Sequence, residues 1–244
     1  MSIAQDFAAR VTAAERDLPG PELLPERLAR ACAGVLPVDG AGLSLFFTAD
    51  RKLPLGASDP ASATAERLQF TVGEGPCLTA HSTREVVLAD ELELHARWPG
   101  FTDVLVARTP IRGIISLPLA GELDGMGALD LYVAESGDVR TVGLADALAV
   151  LAALTSTFCA ATADEPRTES GPSWLDAPTA GRRAQVWQAI GMVNVGLELD
   201  TPDALALLRA YAYGHDTDLD DLADAVVQRR LPVDALSLSS GTAR

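Results

Sequence analysis

The 244-residue sequence has very few lysines: Lys52 is the only one, and arginine supplies the remaining positive charge. Acidic residues outnumber Lys and Arg by 34 to 19, which leaves a formal net charge of −15. Phosphate binding draws on cationic side chains, so a chain this acidic is not a general binder of nucleic acid. An RNA partner would need a local cationic face made of arginines, which suit phosphate and base contacts.

Cysteines and long apolar runs are also scarce. Cys32, Cys77 and Cys159 are odd in number and widely separated, which is typical of reduced cytosolic thiols rather than of a disulfide framework. No run approaches the roughly twenty apolar residues that span a bilayer. The N-terminal segment has an early acidic residue and lacks the apolar core of a secretory signal. These features predict a cytoplasmic protein with no membrane partner.

Motifs for covalent chemistry are missing as well. His81, His95 and His215 are isolated from other metal-ligating side chains, so no metal site is predicted. No glycine-rich phosphate loop with a lysine precedes a helix, and Ser116 is not in a G-x-S-x-G turn. We therefore predict no catalytic residue and no cofactor, and we look for function in binding and regulation.

A proline-rich stretch at residues 164–180 predicts a linker between two different patterns. Before it, residues 24–163 alternate strand-like runs with helical segments. This predicts an α+β domain in which one antiparallel sheet is flanked by helices. After it, residues 181–233 predict an all-α unit of three helices. Residues 1–23 and 234–244 predict a short helical lead and a flexible tail.

Two helical segments share an apolar 4-3-4 spacing that is typical of an interhelical seam. One contains Leu144, Leu148, Leu151, Thr155 and Phe158, and the other contains Val186, Ile190, Val193 and Leu197. Packing within the chain would produce the same spacing. We favour parallel dimerisation through both helices, with the seam formed by Leu148, Leu151, Phe158, Val186, Ile190 and Val193.

The three C-terminal helices carry matched motifs. These are Gln188-Ala189-Ile190-Gly191-Met192, Asp203-Ala204, Leu208-Arg209-Ala210-Tyr211-Ala212-Tyr213, Leu219, Leu222-Ala223 and Val226-Val227. Together they resemble an ANTAR domain over the spacing of all three helices. The resemblance implies a domain that binds small RNA hairpins, usually as a dimer, and acts in transcription antitermination.

A second set of motifs lies in the α+β region. It consists of Phe70–Cys77 (FTVGEGPC), Arg97-Trp98-Pro99 with Phe101, Gly113–Leu119 and Gly127–Tyr132. These residues are similar to the GAF domains of actinobacterial regulators that combine GAF and ANTAR domains. The resemblance implies a sensory module that binds an unidentified small molecule, or a dimerisation scaffold. Cys77, Trp98 and Phe101 are the candidate pocket residues. Alternatively, the thiol packs as a small apolar residue and the rings cover one end of the core.

Arg209 is the first candidate for RNA contact because it lies inside the matched motif, and nearby aromatic rings could stack on unpaired bases. The other candidates are Arg182, Arg183, Tyr211, Tyr213, His215, Arg229 and Arg230. Several have simpler explanations: Tyr211 could pack in the core, and Arg229-Arg230 could stabilise a helix C-terminus. Thr217-Asp218 stands where relatives of the family commonly have an arginine, often followed by proline. An acidic cluster there would repel phosphate.

Three functions are compatible with the sequence. The first is a signal-responsive, dimeric RNA-binding antiterminator in which the GAF part senses and the ANTAR part binds hairpins. The second is a protein-interaction regulator whose acidic helical unit no longer binds RNA. It is motivated by five arginines against eight acidic residues between Arg182 and Leu231. The third is an enzyme such as a reductase of free methionine sulfoxide. We set it aside because the three cysteines show no paired spacing.

Overall fold

The structure, a computed structural model, describes residues 2–47, 52–134, 138–164 and 171–237. It contains a five-stranded sheet with the order β2-β1-β5-β4-β3, and all neighbouring strands run antiparallel. The strands are β1 (Gly40–Phe46), β2 (Lys52–Ala57), β3 (Val87–Ala89), β4 (Ile111–Pro118) and β5 (Gly127–Ala134). A hairpin joins β4 and β5 through a turn at which Gly121 and Gly125 have positive φ. The expected α+β class with an antiparallel sheet is confirmed.

Ten α-helices surround or follow the sheet in the described residues. They are α1 (Ile3–Ala14), α2 (Leu24–Val35), α3 (Pro60–Val72), α4 (Pro76–Thr83), α5 (Glu91–Arg97), α6 (Pro99–Arg108), α7 (Leu144–Asp164), α8 (Pro178–Leu197), α9 (Thr201–Gly214) and α10 (Leu219–Val227). Local sequence explains several boundaries: Asp59 caps the start of α3, and Gly73 ends that helix in the left-handed conformation. The stretch between β3 and β4 forms α5 and α6 because Asp90 and Pro99 start helices there.

The sheet domain comprises the strands with α1 to α7, and its two sheet faces have different partners. Alternate residues of β5, such as Leu129 and Leu131, point into an apolar core shared with α1, α2 and α7. Asp130 and Tyr132 point to the opposite face, which α3, α4 and α6 cover. The predicted lead at residues 1–23 is part of this domain, since Phe7 is fully buried in the first core.

The helical unit comprises α8, α9 and α10, which share a second apolar core. The predicted linker contains a short 3-10 turn in which Trp174 is buried against Phe158 of α7. This ring packs on the neighbouring helix because it is the apolar part of an otherwise polar segment. Residues 165–170 of the linker and 238–244 of the predicted tail lie outside the described residues.

The predicted dimer seam needs correction, because most of its side chains point into their own chain. Leu151 and Phe158 belong to the core of the sheet domain. Val186, Ile190 and Val193 belong to the core of the helical unit. The 4-3-4 spacing on these helices therefore reflects packing within the chain. Of the proposed seam only Leu148 faces outward, with 43% exposure.

α7 is long and apolar enough to cross a membrane by length and composition, and it is the one helix of this kind in the described part of the chain. This differs from the expectation that no segment has that property. One third of its most apolar 18-residue stretch is buried. Its inner residues Val150 and Leu154 are fully buried in the core of the sheet domain.

Candidate functional site

The face of the sheet under α3 and α4 holds a group of polar side chains, of which sequence reasoning indicated only Cys77. We call it the buried polar cluster; it comprises Ser44, Lys52, Glu66, Gln69, Cys77, Asp130 and Tyr132, all at most 2% exposed. Glu66 is its centre. Its carboxylate lies 2.8 Å from the Nζ of Lys52 and accepts hydrogen bonds from the hydroxyls of Ser44 and Tyr132, each at 2.6 Å. Gly42 is required beneath it, because a Cβ there would meet the Glu66 carboxylate.

A second carboxylate extends the cluster along β5. Asp130 accepts a hydrogen bond from Nε2 of Gln69 at 2.7 Å and lies 3.3 Å from the hydroxyl of Tyr132. The Oε1 of Gln69 in turn accepts the backbone N–H of Cys77 at 2.8 Å. Two helices are thus tied to the sheet, because Glu66 and Gln69 lie on α3 and Cys77 lies on α4.

The two carboxyl groups have opposite pKa shifts. Burial raises the pKa of Asp130 to about 7, and the negative charge of Glu66 adds to this increase. Burial also opposes the charge on Glu66, but the Lys52 ammonium and the hydroxyl donors outweigh it and lower the pKa of Glu66. Although burial alone would lower it, the pKa of Lys52 is raised by Cys77 and by the carboxylates of Glu66 and Asp130, so the lysine stays charged. The cluster therefore contains one stable ion pair and one carboxyl group that titrates near neutral pH.

Potential metal-ligating atoms of Glu66, Cys77 and Asp130 lie within 4.8 Å of one another. Three ligand atoms at this spacing could surround a metal ion. The charged Lys52 beside Glu66 opposes a further cation at this point. Burial also raises the pKa of the Cys77 thiol well above its ordinary value, which disfavours the thiolate that binds metals. The residues therefore fit an internal ion pair better than a metal site.

The cysteines give little support to thiol chemistry. Burial raises the pKa of Cys32 and of Cys77, and both side chains are fully buried. The pKa of Cys159 is also raised, by burial and then by Glu122. A nucleophilic cysteine needs an accessible thiolate. None of the three provides one at neutral pH.

The three predicted pocket residues do not share one pocket. Cys77 lies in the buried polar cluster, and Phe101 is fully buried in the apolar core between α6 and the sheet. The indole of Trp98 is 6% exposed and lines a surface cavity of about 330 Å³ with Phe46 and His81. The interpretation that the rings cover part of the core therefore holds for Phe101 and for most of the Trp98 surface.

The predicted RNA-binding residues are also divided. Arg183 is fully buried: its guanidinium lies 3.8 Å from the centre of the Phe70 ring and 3.2 Å from Asp220. Burial lowers its pKa to about 10. Arg183 was predicted to contact RNA, and this position is corrected to a core ion pair. A buried guanidinium cannot reach a phosphate while the helical unit stays packed on Phe70.

Arg209 is half-buried between α9 and the sheet domain. Its Nε donates to the backbone carbonyl of Phe70 at 2.9 Å, and its guanidinium lies 4.9 Å from the centre of that ring. Arg209 and Tyr213 line the same cleft of about 550 Å³, together with Glu74 from the loop after α3. The structure therefore brings these two predicted residues together.

The remaining candidates lie at the surface of the helical unit. Arg182 pairs with Asp221 at 2.6 Å, Arg230 pairs with Asp224, and Tyr211 stacks on His215 at 3.9 Å. Arg229 is exposed in the left-handed conformation after α10. Tyr213 is 49% exposed and is therefore more accessible than Tyr211, which is half-buried.

Sequence reasoning missed the buried polar cluster apart from Cys77, and it missed the residues of the sheet domain that contact the helical unit. Two signals in the sequence could have indicated the cluster. Lys52 is the only lysine, and Asp130 interrupts an otherwise apolar strand. The contacts of Arg67, Phe70 and Arg108 with the helical unit have no comparable signal, because they join segments far apart in the chain.

The fold is similar to that of several solved structures. The GAF domain from a phosphoenolpyruvate-protein phosphotransferase of Coxiella burnetii is 15% identical, with a TM-score of 0.44, over 66% of this chain and 98% of that chain. The corresponding Acinetobacter GAF domain is 12% identical, with a TM-score of 0.40, over 66% and 98%. A free methionine-R-sulfoxide reductase from Neisseria meningitidis, in complex with its substrate, is 17% identical, with a TM-score of 0.41, over 66% and 93%. No family model matches the chain, and no curated protein matches it.

Proposed function

We propose that this chain is a signal-responsive regulator in which a GAF-type sheet domain senses a small molecule or a state, and a helical unit of the ANTAR type binds RNA hairpins to cause transcription antitermination. One observation supports it most: the helical unit packs directly against α3, and Arg209, the first RNA candidate, lies at that contact. A change in the sheet domain can therefore alter the environment of the RNA candidate.

The acidic segment at the start of α10 is less repulsive to RNA than its sequence suggests. Asp218 and Asp220 are buried and paired with arginines, and Asp221 pairs with Arg182. An ion pair removes most of the field that a carboxylate exerts on a distant phosphate. These pairs reduce the objection that the local net charge raises against an RNA partner.

We further propose that the active species is a homodimer. The outward face of α7 carries Leu144, Leu148 and Ala152, and α7 has no charged residue between Asp146 and Asp164. Leu144 and Leu148 are 42% and 43% exposed. A second copy that packs on this face would bury apolar surface that is otherwise in water.

RNA binding is tested with an RNA that carries two adjacent hairpins, using titrations of the full chain at several salt concentrations. We expect the affinity to fall as salt increases, because cations of the protein replace counterions on the phosphates. Arg209→Ala should weaken binding by about 1–3 kcal/mol. Arg16→Ala removes the same charge from an exposed position in the sheet domain and is the matched control. Equal effects of the two variants would contradict a specific role for Arg209.

The second candidate function is a protein-interaction regulator whose helical unit does not bind RNA. It is favoured by the contacts that hold Arg183 and Arg209 inside the chain. Affinity purification of the full chain, followed by sequencing of bound RNA and mass spectrometry of bound proteins, separates the two. Enrichment of protein without RNA favours this second function.

A further inference from the structure

We propose that Asp218 is a latch that closes the helical unit onto the sheet domain, and that the closed arrangement masks Arg209, the one cationic residue of α9. The proposal that the masked surface binds RNA rests on the function proposed above. The closure itself rests on the contacts between α3 and α6 on one side and the helical unit on the other; we call this contact region the joint.

Asp218 is the residue before α10, where a carboxylate normally accepts the free backbone N–H groups of the first turn. It makes no such bond. Its two oxygens instead face the sheet domain: one lies 3.1 Å from Nε of Arg67 on α3, and the other lies 2.6 Å from a terminal nitrogen of Arg108 on α6. The Asp218 side chain therefore pairs with the sheet domain instead of capping its own helix.

The start of α10 is capped from the other side of the joint. The backbone N–H of Leu219 donates to the side-chain oxygen of Thr71 at 3.2 Å, and Leu219 is fully buried. Thr71 lies in the last turn of α3. Opening the joint would break this bond and leave a helix N-terminus without a partner, so closure and the stability of the first turn of α10 are linked.

Phe70 fills the centre of the joint. It is 1% exposed and belongs to the apolar core of the helical unit, although it is carried by the sheet domain. Its ring meets Trp187 edge-on at 5.9 Å and receives the guanidinium groups of Arg183 and Arg209. Arg209, the first candidate for RNA contact, is thus held by the same contacts that close the joint.

The joint is also connected to the buried polar cluster. α3 carries Glu66 and Gln69, which bond to the sheet, and next to them Arg67, Phe70 and Thr71, which contact the helical unit. A shift of α3 caused by a change in the cluster would move both sets of contacts. α3 is therefore the element through which the sheet domain can release the latch.

The test compares Asp218→Asn with Asp216→Asn in the full chain. Both variants remove one negative charge from the same loop, but Asp216 is exposed and its left-handed backbone suits asparagine. Amide hydrogen exchange measures opening without RNA. We expect Asp218→Asn to speed exchange at the Leu219 amide and in the last turn of α3, while Asp216→Asn does not.

Affinity for the two-hairpin RNA measures masking. If the open form alone binds RNA, Asp218→Asn should raise the affinity at least about fivefold, because a larger fraction of the chain is competent to bind. Asp216→Asn should raise it less, through charge alone. Faster exchange with no RNA binding by any variant would support the latch and contradict the RNA function. If Asp218→Asn exchanges faster but binds the RNA with the same affinity as the wild type, the closed arrangement does not mask the RNA-binding surface.

Arg67→Ala combined with Arg108→Ala opens the joint from the sheet domain and leaves the sequence of α10 intact. It should reproduce the exchange pattern of Asp218→Asn even if that variant disturbs α10. Unchanged exchange in Arg67→Ala/Arg108→Ala would overturn the latch.

Discussion

The Nζ of Lys52 lies 2.8 Å from the Oε2 of Glu66, and neither side chain is more than 2% exposed. The only lysine of the chain therefore neutralises a carboxylate in the interior of the sheet domain. Removing one partner of a buried pair leaves an uncompensated charge, whereas removing both charges does not. This asymmetry makes the role of the pair measurable.

Lys52→Met should lower the free energy of unfolding by about 3–5 kcal/mol, because it leaves the Glu66 carboxylate buried without its cation. Lys52→Met with Glu66→Gln should recover part of the loss, because the amide is neutral and can still bond to Ser44 and Tyr132. Chemical denaturation of the three proteins measures the coupling. Additive effects of the two substitutions would contradict the ion pair.

The raised pKa of Asp130 predicts a pH dependence of stability. Its pKa rises from an ordinary 3.8 to about 7 in the folded chain, so the folded state binds more protons at this group between those values. The free energy of unfolding should therefore fall as pH rises through this window. Asp130→Asn should flatten the slope. The lowered pKa of Glu66 affects stability in the opposite direction and at lower pH. Burial lowers the pKa of His81 and raises the pKa of Glu26, so both groups also contribute to the slope. The difference in slope between the wild type and Asp130→Asn therefore measures the contribution of Asp130. The same slope in the variant would refute the assignment.

The adjacent residues Arg182 and Arg183 should respond differently to substitution. Arg183→Met should destabilise the fold by about 3–5 kcal/mol, because Asp220 stays buried without its partner. Arg182→Ala should change stability by less than about 1 kcal/mol, because its pair with Asp221 is exposed on both sides. Urea titrations of the two single variants provide the comparison. Comparable losses would mean that Arg183 is not buried as described.

Leu148→Glu should shift the chain from dimer to monomer, because it places a charge in the apolar face of α7. Leu92→Glu on α5 is the control, since Leu92 is 81% exposed and lies outside that face. Sedimentation equilibrium of the wild type and both variants measures the mass. A wild-type mass that stays monomeric at all concentrations would eliminate the proposed dimer, as would a Leu148→Glu variant that remains dimeric.

The prediction of the fold from the sequence succeeded where the pattern was local. The β4–β5 hairpin and the three helices near Val186, Leu205 and Leu222 follow from turn residues and apolar periodicity. The prediction that α8 carries a dimer seam was wrong, because a 4-3-4 spacing identifies an apolar face without identifying what covers it. The prediction that Arg183 contacts RNA was wrong for a related reason. A charged residue is expected at the surface, and only its pairing with Asp220 allows Arg183 to be buried.

The sequence by itself determined the α+β class of the sheet domain, the helical character of the residues that follow it, and the shortage of cationic charge, because composition and periodicity are properties of short segments. Only the tertiary structure decided which charges are buried and which partners neutralise them. Arg67 and Asp218 meet across 151 positions of the chain, and Glu66 and Tyr132 across 66. Contacts of this kind depend on how complete helices and strands pack, so no local pattern predicts that Arg209 lies against Phe70 rather than free in solvent.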